Sequence, residues 1–168
     1  LELRDDHQAL VVEAGMNQPG ELGILTRVTS PTVGVLTNVG LAHLGMFGNE
    51  TELLRAKAEF VMNLSSGATV FSNADCVRSE LIVDVHCRAG RRLKVGERAD
   101  AHYRVLGVTQ SEGGYRFELK TPDGLHDFET PLFGRYDIAN AAMAAAVALD
   151  YGIDGADIAA ELRSFRPH

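Results

Sequence analysis

Lys57, Glu13 and His43 are the side chains whose types and settings could do chemistry together. The segment Glu50–Leu64 (ETELLRAKAEFVMNL) reads as an amphipathic helix. Stepping 100° per residue from Leu53 puts Phe60 at about 340°, Leu64 at about 20°, Val61 at about 80° and Leu54 at about 100°. Lys57 falls at about 40°, inside that apolar stripe, while Glu52, Arg55 and Glu59 fall on the opposite side. A lysine so placed must snorkel to an edge, pair with an acid, lose its proton or be chemically changed. The helix by itself favours snorkelling. Glu13 closes the apolar run Ala9–Ala14 (ALVVEA). An acid at the end of a buried strand can hold magnesium beside a nucleotide, or simply face water. His43 follows Thr37-Asn38-Val39-Gly40, where a lone loop histidine is more often structural than a ligand. Asn140 is a polar insertion in an alanine-rich stretch, and its plain reading is an exposed helix position. His7, His86, His102, His126 and His168 show no metal-ligand spacing.

The elements that must position these groups alternate between strand and helix. Ala9–Ala14 is expected to be a first strand and Gly20–Val28 a short helix after the Gln18-Pro19-Gly20 turn. Thr32–Val39 is β-branched and flanked by turn residues, as a second buried strand should be. The Lys57 helix follows, with Asn49 as N-cap and Glu52 three residues on, as in a capping box. Ala68–Asn73 gives a third strand, Asp75–Cys87 a helix and Arg92–Val95 a short strand. This rhythm implies a parallel sheet with helices on its faces. Ligands in such sheets bind at the carboxyl ends of the strands, where Glu13, Asn38 and His43 collect and the Lys57 helix follows. Between about Asp100 and Thr130 the pattern alternates instead. Tyr103–Thr109, Tyr115–Lys120 and Leu125–Glu129 are separated by Glu112-Gly113-Gly114 and Pro122-Asp123-Gly124, which are hairpin-type turns. Two helices close the chain: Asp137–Leu149, stopped by Gly152, and Gly155–Arg163, capped by Asp154. The fold class is therefore α/β, a mostly parallel sheet flanked by helices with a small antiparallel excursion.

Composition excludes several classes. The chain has 168 residues, 45% apolar and 23% charged, which suits one globular domain. A net charge of −7 argues against general nucleic-acid binding, which needs a basic face. No apolar run approaches the roughly 20 residues of a membrane span, and no basic-then-apolar leader opens the sequence. On one helix Cys76 and Cys87 would lie about 16 Å apart, beyond disulfide reach, and two unpaired thiols suggest a reducing cytoplasm. Gly-x-x-x-x-Gly-Lys-Ser/Thr, Gly-x-Gly-x-x-Gly and Gly-x-Ser-x-Gly are all missing from the sequence.

Four stretches resemble the Mur ligase family: Val11-Val12-Glu13-Ala14-Gly15-Met16-Asn17 with Pro19-Gly20-Glu21; Thr37-Asn38-Val39-Gly40-Leu41-Ala42-His43-Leu44; Ala56-Lys57-Ala58-Glu59; and Gly134 through Asn140-Ala141-Ala142. They are most similar to the branch that adds D-alanyl-D-alanine to UDP-N-acetylmuramoyl-tripeptide. Sister branches usually carry Asp where this chain has Ala42. The resemblance implies a P-loop NTPase-like central domain of a cytoplasmic, ATP-dependent amide-bond ligase of peptidoglycan synthesis, acting as a monomer. ATP would phosphorylate the substrate carboxylate, and the dipeptide amine would attack the acyl phosphate. Carried over by position, Glu13 and His43 would be magnesium ligands, and Lys57 would be a carbamylated lysine completing the site. Asn140 would contact the adenine side, with Tyr136 beside it, although Gly134-Arg135-Tyr136-Asp137 departs from the family's frequent Gly-x-His-Asn. Asn38 would face phosphate and Asn17 substrate. Unmodified, Lys57 is expected to pair with Glu13 or another nearby acid. The resemblance also implies that residues 1–168 are part of a longer protein, with residues 100–130 an excursion within the domain. The phosphate loop would lie upstream of Leu1 and a further domain after His168, so the chain alone is expected not to ligate. Two alternatives stand: a folylpolyglutamate or cyanophycin synthetase type of ligase, and a non-catalytic nucleotide-binding scaffold.

Overall fold

A computed structural model describes residues 4–40, 44–111 and 113–166. In chain order the elements are α1 (Glu21–Thr29), β1 (Val33–Leu36), α2 (Leu44–Phe47), α3 (Glu50–Met62), β2 (Thr69–Asn73), α4 (Val77–His86) and β3 (Arg91–Gly96). Then come β4 (Tyr103–Ser111), β5 (Gly114–Thr121), β6 (Gly124–Thr130), α5 (Arg135–Asp150) and α6 (Gly155–Ser164). The six strands form one sheet in sequence order. β1 through β4 pair in parallel, with Gly34 opposite Val70, Val70 opposite Arg92 and Val95 opposite Tyr103. β4, β5 and β6 pair antiparallel through the two expected turns. The antiparallel excursion thus extends the parallel sheet.

Successive side chains of β2 point to opposite faces, and each face acquires its own core. Phe71 faces α5 and α6 with Leu93, Phe117, Leu119 and Phe128, against Ile138, Ala142, Ala145, Ala146 and Ile158. The alanines let α5 approach a sheet face crowded with aromatic rings. Val70 faces the other way, against Ala58, Val61 and Leu64 at α3 and Ile82 and Val83 of α4. A third cluster of Met16, Leu22, Phe47, Leu53 and Ala56 joins α1 and α2 to α3. Gly114 sits at φ 141°, and an added Cβ would collide with the Thr130 carbonyl.

Two expected strands differ. Ala9–Ala14 forms no strand: no described strand hydrogen-bonds to it, and Val11 is 94% exposed. Apolar composition alone does not make a strand when no neighbour backbone takes its N–H and C=O groups. The second strand ends at Leu36 rather than Val39. Residues 37–39 leave the sheet for α4, where the Thr37 carbonyl accepts from Ser79 Oγ (2.7 Å) and the Val39 N–H donates to Cys76 Sγ (3.4 Å).

Phe71 is fully buried between a parallel sheet and α5. Phe71→Ala is expected to lower the unfolding free energy by about 3–5 kcal/mol, read as a lower urea midpoint at unchanged slope.

Candidate active site

α3 begins as expected, with Asn49 Oδ1 accepting from the Glu52 N–H at 3.0 Å. Leu53 and Val61 on its inner stripe are fully buried, and Lys57 between them is half-buried. Burial pulls the Lys57 pKa below its ordinary value, because a charged ammonium loses hydration there. Among the described residues Nζ has no hydrogen bond and no carboxylate partner. The expected pairing with Glu13 is therefore not found. Glu13 is exposed, on the segment that pairs with no strand. A half-buried, uncompensated amine with a lowered pKa is a better nucleophile at neutral pH than a surface lysine.

The outer face of α3 is not simply solvated. Glu59 reaches across to the start of α1, where its oxygens accept from the Gly20 N–H at 2.8 and 3.0 Å and from the Gly23 N–H at 3.2 Å. Gly20, at φ 92°, is the N-cap of α1 and has no side chain with which to cap it. Glu59 supplies the missing acceptor and the negative charge that a helix N-terminus favours. Just before it, the Asn17 and Gln18 N–H groups donate to Glu21 Oε2 at 2.6 and 3.0 Å, and those bonds hold the Glu21 carboxyl below its ordinary pKa. Two acids thus fix the loop that follows Glu13, leaving the Asn17 side chain exposed. Sequence reading placed Glu59 on a water-facing side. The available signal was a helix start at Pro19-Gly20 with no capping side chain of its own.

At the carboxyl ends of β1 and β2, Asn38 Oδ1 accepts from Asn73 Nδ2 at 2.9 Å, and Asn73 Oδ1 accepts from the Asp75 N–H at 2.9 Å. Asn73 is buried, and nothing in the sequence singled it out. Cys76 follows. Burial raises its thiol pKa, but hydrogen bonds from nearby groups, among them the Val39, Ser79 and Arg78 backbone N–H groups, outweigh this and hold it below the ordinary value. Both cysteines are free.

α5 runs antiparallel to the first strands. Asp150 at its end takes a two-pronged hydrogen bond from Arg91 at the start of β3 (2.6 and 2.7 Å), and Tyr151 lies against Thr32 just before β1. Its first turns, with Tyr136 and Asn140, therefore lie toward the carboxyl edge that carries Asn38 and Asn73. Both side chains are exposed, Tyr136 at 72%. His43 lies outside the described residues. Among the described residues, which do not include His43, no three His, Cys, Asp or Glu side chains gather as a metal site. Surface hollows of about 520 and 240 Å³, at the β5–β6 turn and between α5 and α6, hold none of these residues. No helix among the described residues is long and apolar enough to cross a membrane.

The sequence profile of the Mur ligase middle domain matches residues 1–148. A UDP-N-acetylmuramoyl-tripeptide–D-alanyl-D-alanine ligase from Synechocystis is 31% identical over 157 residues, which are 92% of this chain and 32% of that protein. The Escherichia coli protein of the same name is 30% identical over 156 residues, 90% of this chain and 34% of its own length. Among solved structures, MurF from Acinetobacter baumannii matches with a TM-score of 0.87 at 27% identity, over 99% of this chain and 36% of that one. The chain thus spans about a third of the length of these relatives.

Two outcomes follow from the α3 contacts. Because the folded-state Lys57 pKa lies below the ordinary 10.5, unfolding takes up protons in the window between them, and stability rises with pH there. Lys57→Met is expected to stabilise the protein near neutral pH, with the gain shrinking as pH approaches 10.5, in chemical unfolding run across pH. Glu59→Ala leaves the Gly20 and Gly23 N–H groups without their acceptor. It is expected to cost about 2 kcal/mol, with faster amide exchange at the start of α1.

Proposed function

We propose a function from one premise: the chain belongs to the Mur ligase middle-domain family. In the whole protein it is the catalytic core of a cytoplasmic, ATP-dependent ligase of peptidoglycan synthesis that joins D-alanyl-D-alanine to UDP-N-acetylmuramoyl-tripeptide. The names borne by the Synechocystis and Escherichia coli relatives support this substrate pair. The observation that carries the chemistry is Lys57, a half-buried amine with a lowered pKa and no counter-ion among the described residues.

Such an amine suits carbamylation. The neutral Nζ lone pair attacks the carbon of carbon dioxide, a C–N bond forms, one C=O electron pair moves to oxygen, and an N–H proton leaves to water. The product is an oxygen-ended anion on a stem that burial already orients. The carbamate and the Glu13 carboxylate would supply the oxygen ligands that magnesium prefers, with the His43 imidazole as a further donor. Magnesium, when bound, would screen the charge of the phosphate being transferred. Asn38 would face a phosphate or acyl oxygen, and Asn17 the substrate. Tyr136 and Asn140 would meet the adenine side from the first turns of α5. Glu59 would keep the loop between Glu13 and α1 registered against the helix that carries Lys57.

In the full-length protein, Lys57→Ala is expected to lower the ligation rate on the order of a hundredfold, with partial recovery on adding acetate or another short carboxylate. Lys57→Ala at the wild-type rate would remove Lys57 from the mechanism. Addition of glutamate to a folate, with D-alanyl-D-alanine unused, would instead select the folylpolyglutamate type.

A further inference from the structure

We propose that Asn73 is a positioning residue that sets the polarity of Asn38, so that Asn38 presents a hydrogen-bond donor to an anionic oxygen of the reactants. The proposal rests on Asn38 facing the reactants and adds which of its atoms does so. It is built from a chain of hydrogen bonds with one fixed end. The Asp75 backbone N–H can only donate, and it meets Asn73 Oδ1 at 2.9 Å. That peptide unit is itself pinned. The Asp75 carboxylate accepts from the Glu97 and Arg98 N–H groups at 2.8 and 3.2 Å, and the Cys76 N–H donates to the Asn73 carbonyl at 3.1 Å. With its oxygen committed, Asn73 must turn its nitrogen toward Asn38, also at 2.9 Å. Two amide nitrogens cannot share a hydrogen bond, so Asn38 answers with its oxygen. The Asn38 nitrogen is left pointing away from Asn73, with no hydrogen-bond partner among the described residues. Asn73 is 4% exposed, which shields the relay from water, while Asn38 is half-buried at the strand-end loop. The group that Asn38 recognises is therefore an acceptor, either a phosphate oxygen of ATP or a carboxylate or acyl-phosphate oxygen of the second substrate.

The test is a double-mutant cycle on the full-length protein, reading kcat, KM for ATP, KM for the peptide substrate and thermal midpoint. Asn73→Asp still accepts from the Asp75 N–H but offers Asn38 a second acceptor, which draws the Asn38 nitrogen inward. It is expected to lower kcat/KM roughly tenfold or more in the Asn38 background. Its effect should fall below about twofold in the Asn38→Ala background, as expected for residues acting through one contact. The KM that rises identifies whose oxygen is bound. Equal losses in both backgrounds would overturn the proposal. Asn38→Asp requires no change in the core. It keeps the acceptor for Asn73 and replaces the donor with an anion, so unchanged KM values for both substrates would overturn the proposal even if Asn73→Asp fails to fold. A wild-type protein without ligase activity would remove the functional reading and this proposal together. Activity with additive losses would remove this proposal alone.

Discussion

Parallel pairing of β1, β2 and β3 requires each connection between them to cross back over the sheet, and one of the crossing helices carries Lys57. α3 and α4 make the two crossings and cover one face. Their return places the loops after β1 and β2 on the same edge, which is how Asn38 and Asn73 meet although they lie far apart in sequence. α3 is held on two sides, while Glu52 and Arg55 stay exposed. Its inner stripe is buried against α1, α2 and the sheet, and its outer face is held to α1 by Glu59. A half-buried lysine with no counter-ion among the described residues is tolerated where the surrounding contacts hold the helix in place.

The local signals were strong where a residue acts on its own backbone. Asn49 and Asp154 cap their helices through side-chain oxygens, and the two turns containing Gly114 and Gly124 close the antiparallel strands. Helical periodicity was enough to put Lys57 on the inner stripe of α3. What could not be read was set by partners distant in sequence. Ala9–Ala14 has a strand's composition, but a strand is a relation between two backbones. Glu59 looked solvated because α1 was not yet in place against it. Asn73 is defined by its partners, Asn38 and the Asp75 peptide group, which lie outside its own strand. Residue types pointed to candidate side chains, but not to the hydrogen bonds that orient them.

Three acids of this edge are spent on backbone N–H groups rather than on cations. Glu59 and Glu21 serve the start of α1, and Asp75 serves the loop after β3. Fixed in this way, they are poor partners for a neighbouring ammonium. Lys57, by contrast, has no carboxylate partner among the described residues, and burial holds its pKa below the ordinary value.

The anchor at Asp150 gives the length of α5 a meaning of its own. Arg91 and Tyr103 both bind that carboxylate, fixing the far end of a sixteen-residue helix at the amino side of the sheet. A helix is a stiff rod, so its other end has no separate adjustment. One residue added within it would shift Asn140 by about 1.5 Å and swing it by about 100° around the axis. The number of residues between Asn140 and Asp150 therefore acts as a fixed spacer, and an insertion there would also turn the buried Ala141, Ala142, Ala145 and Ala146 away from the sheet.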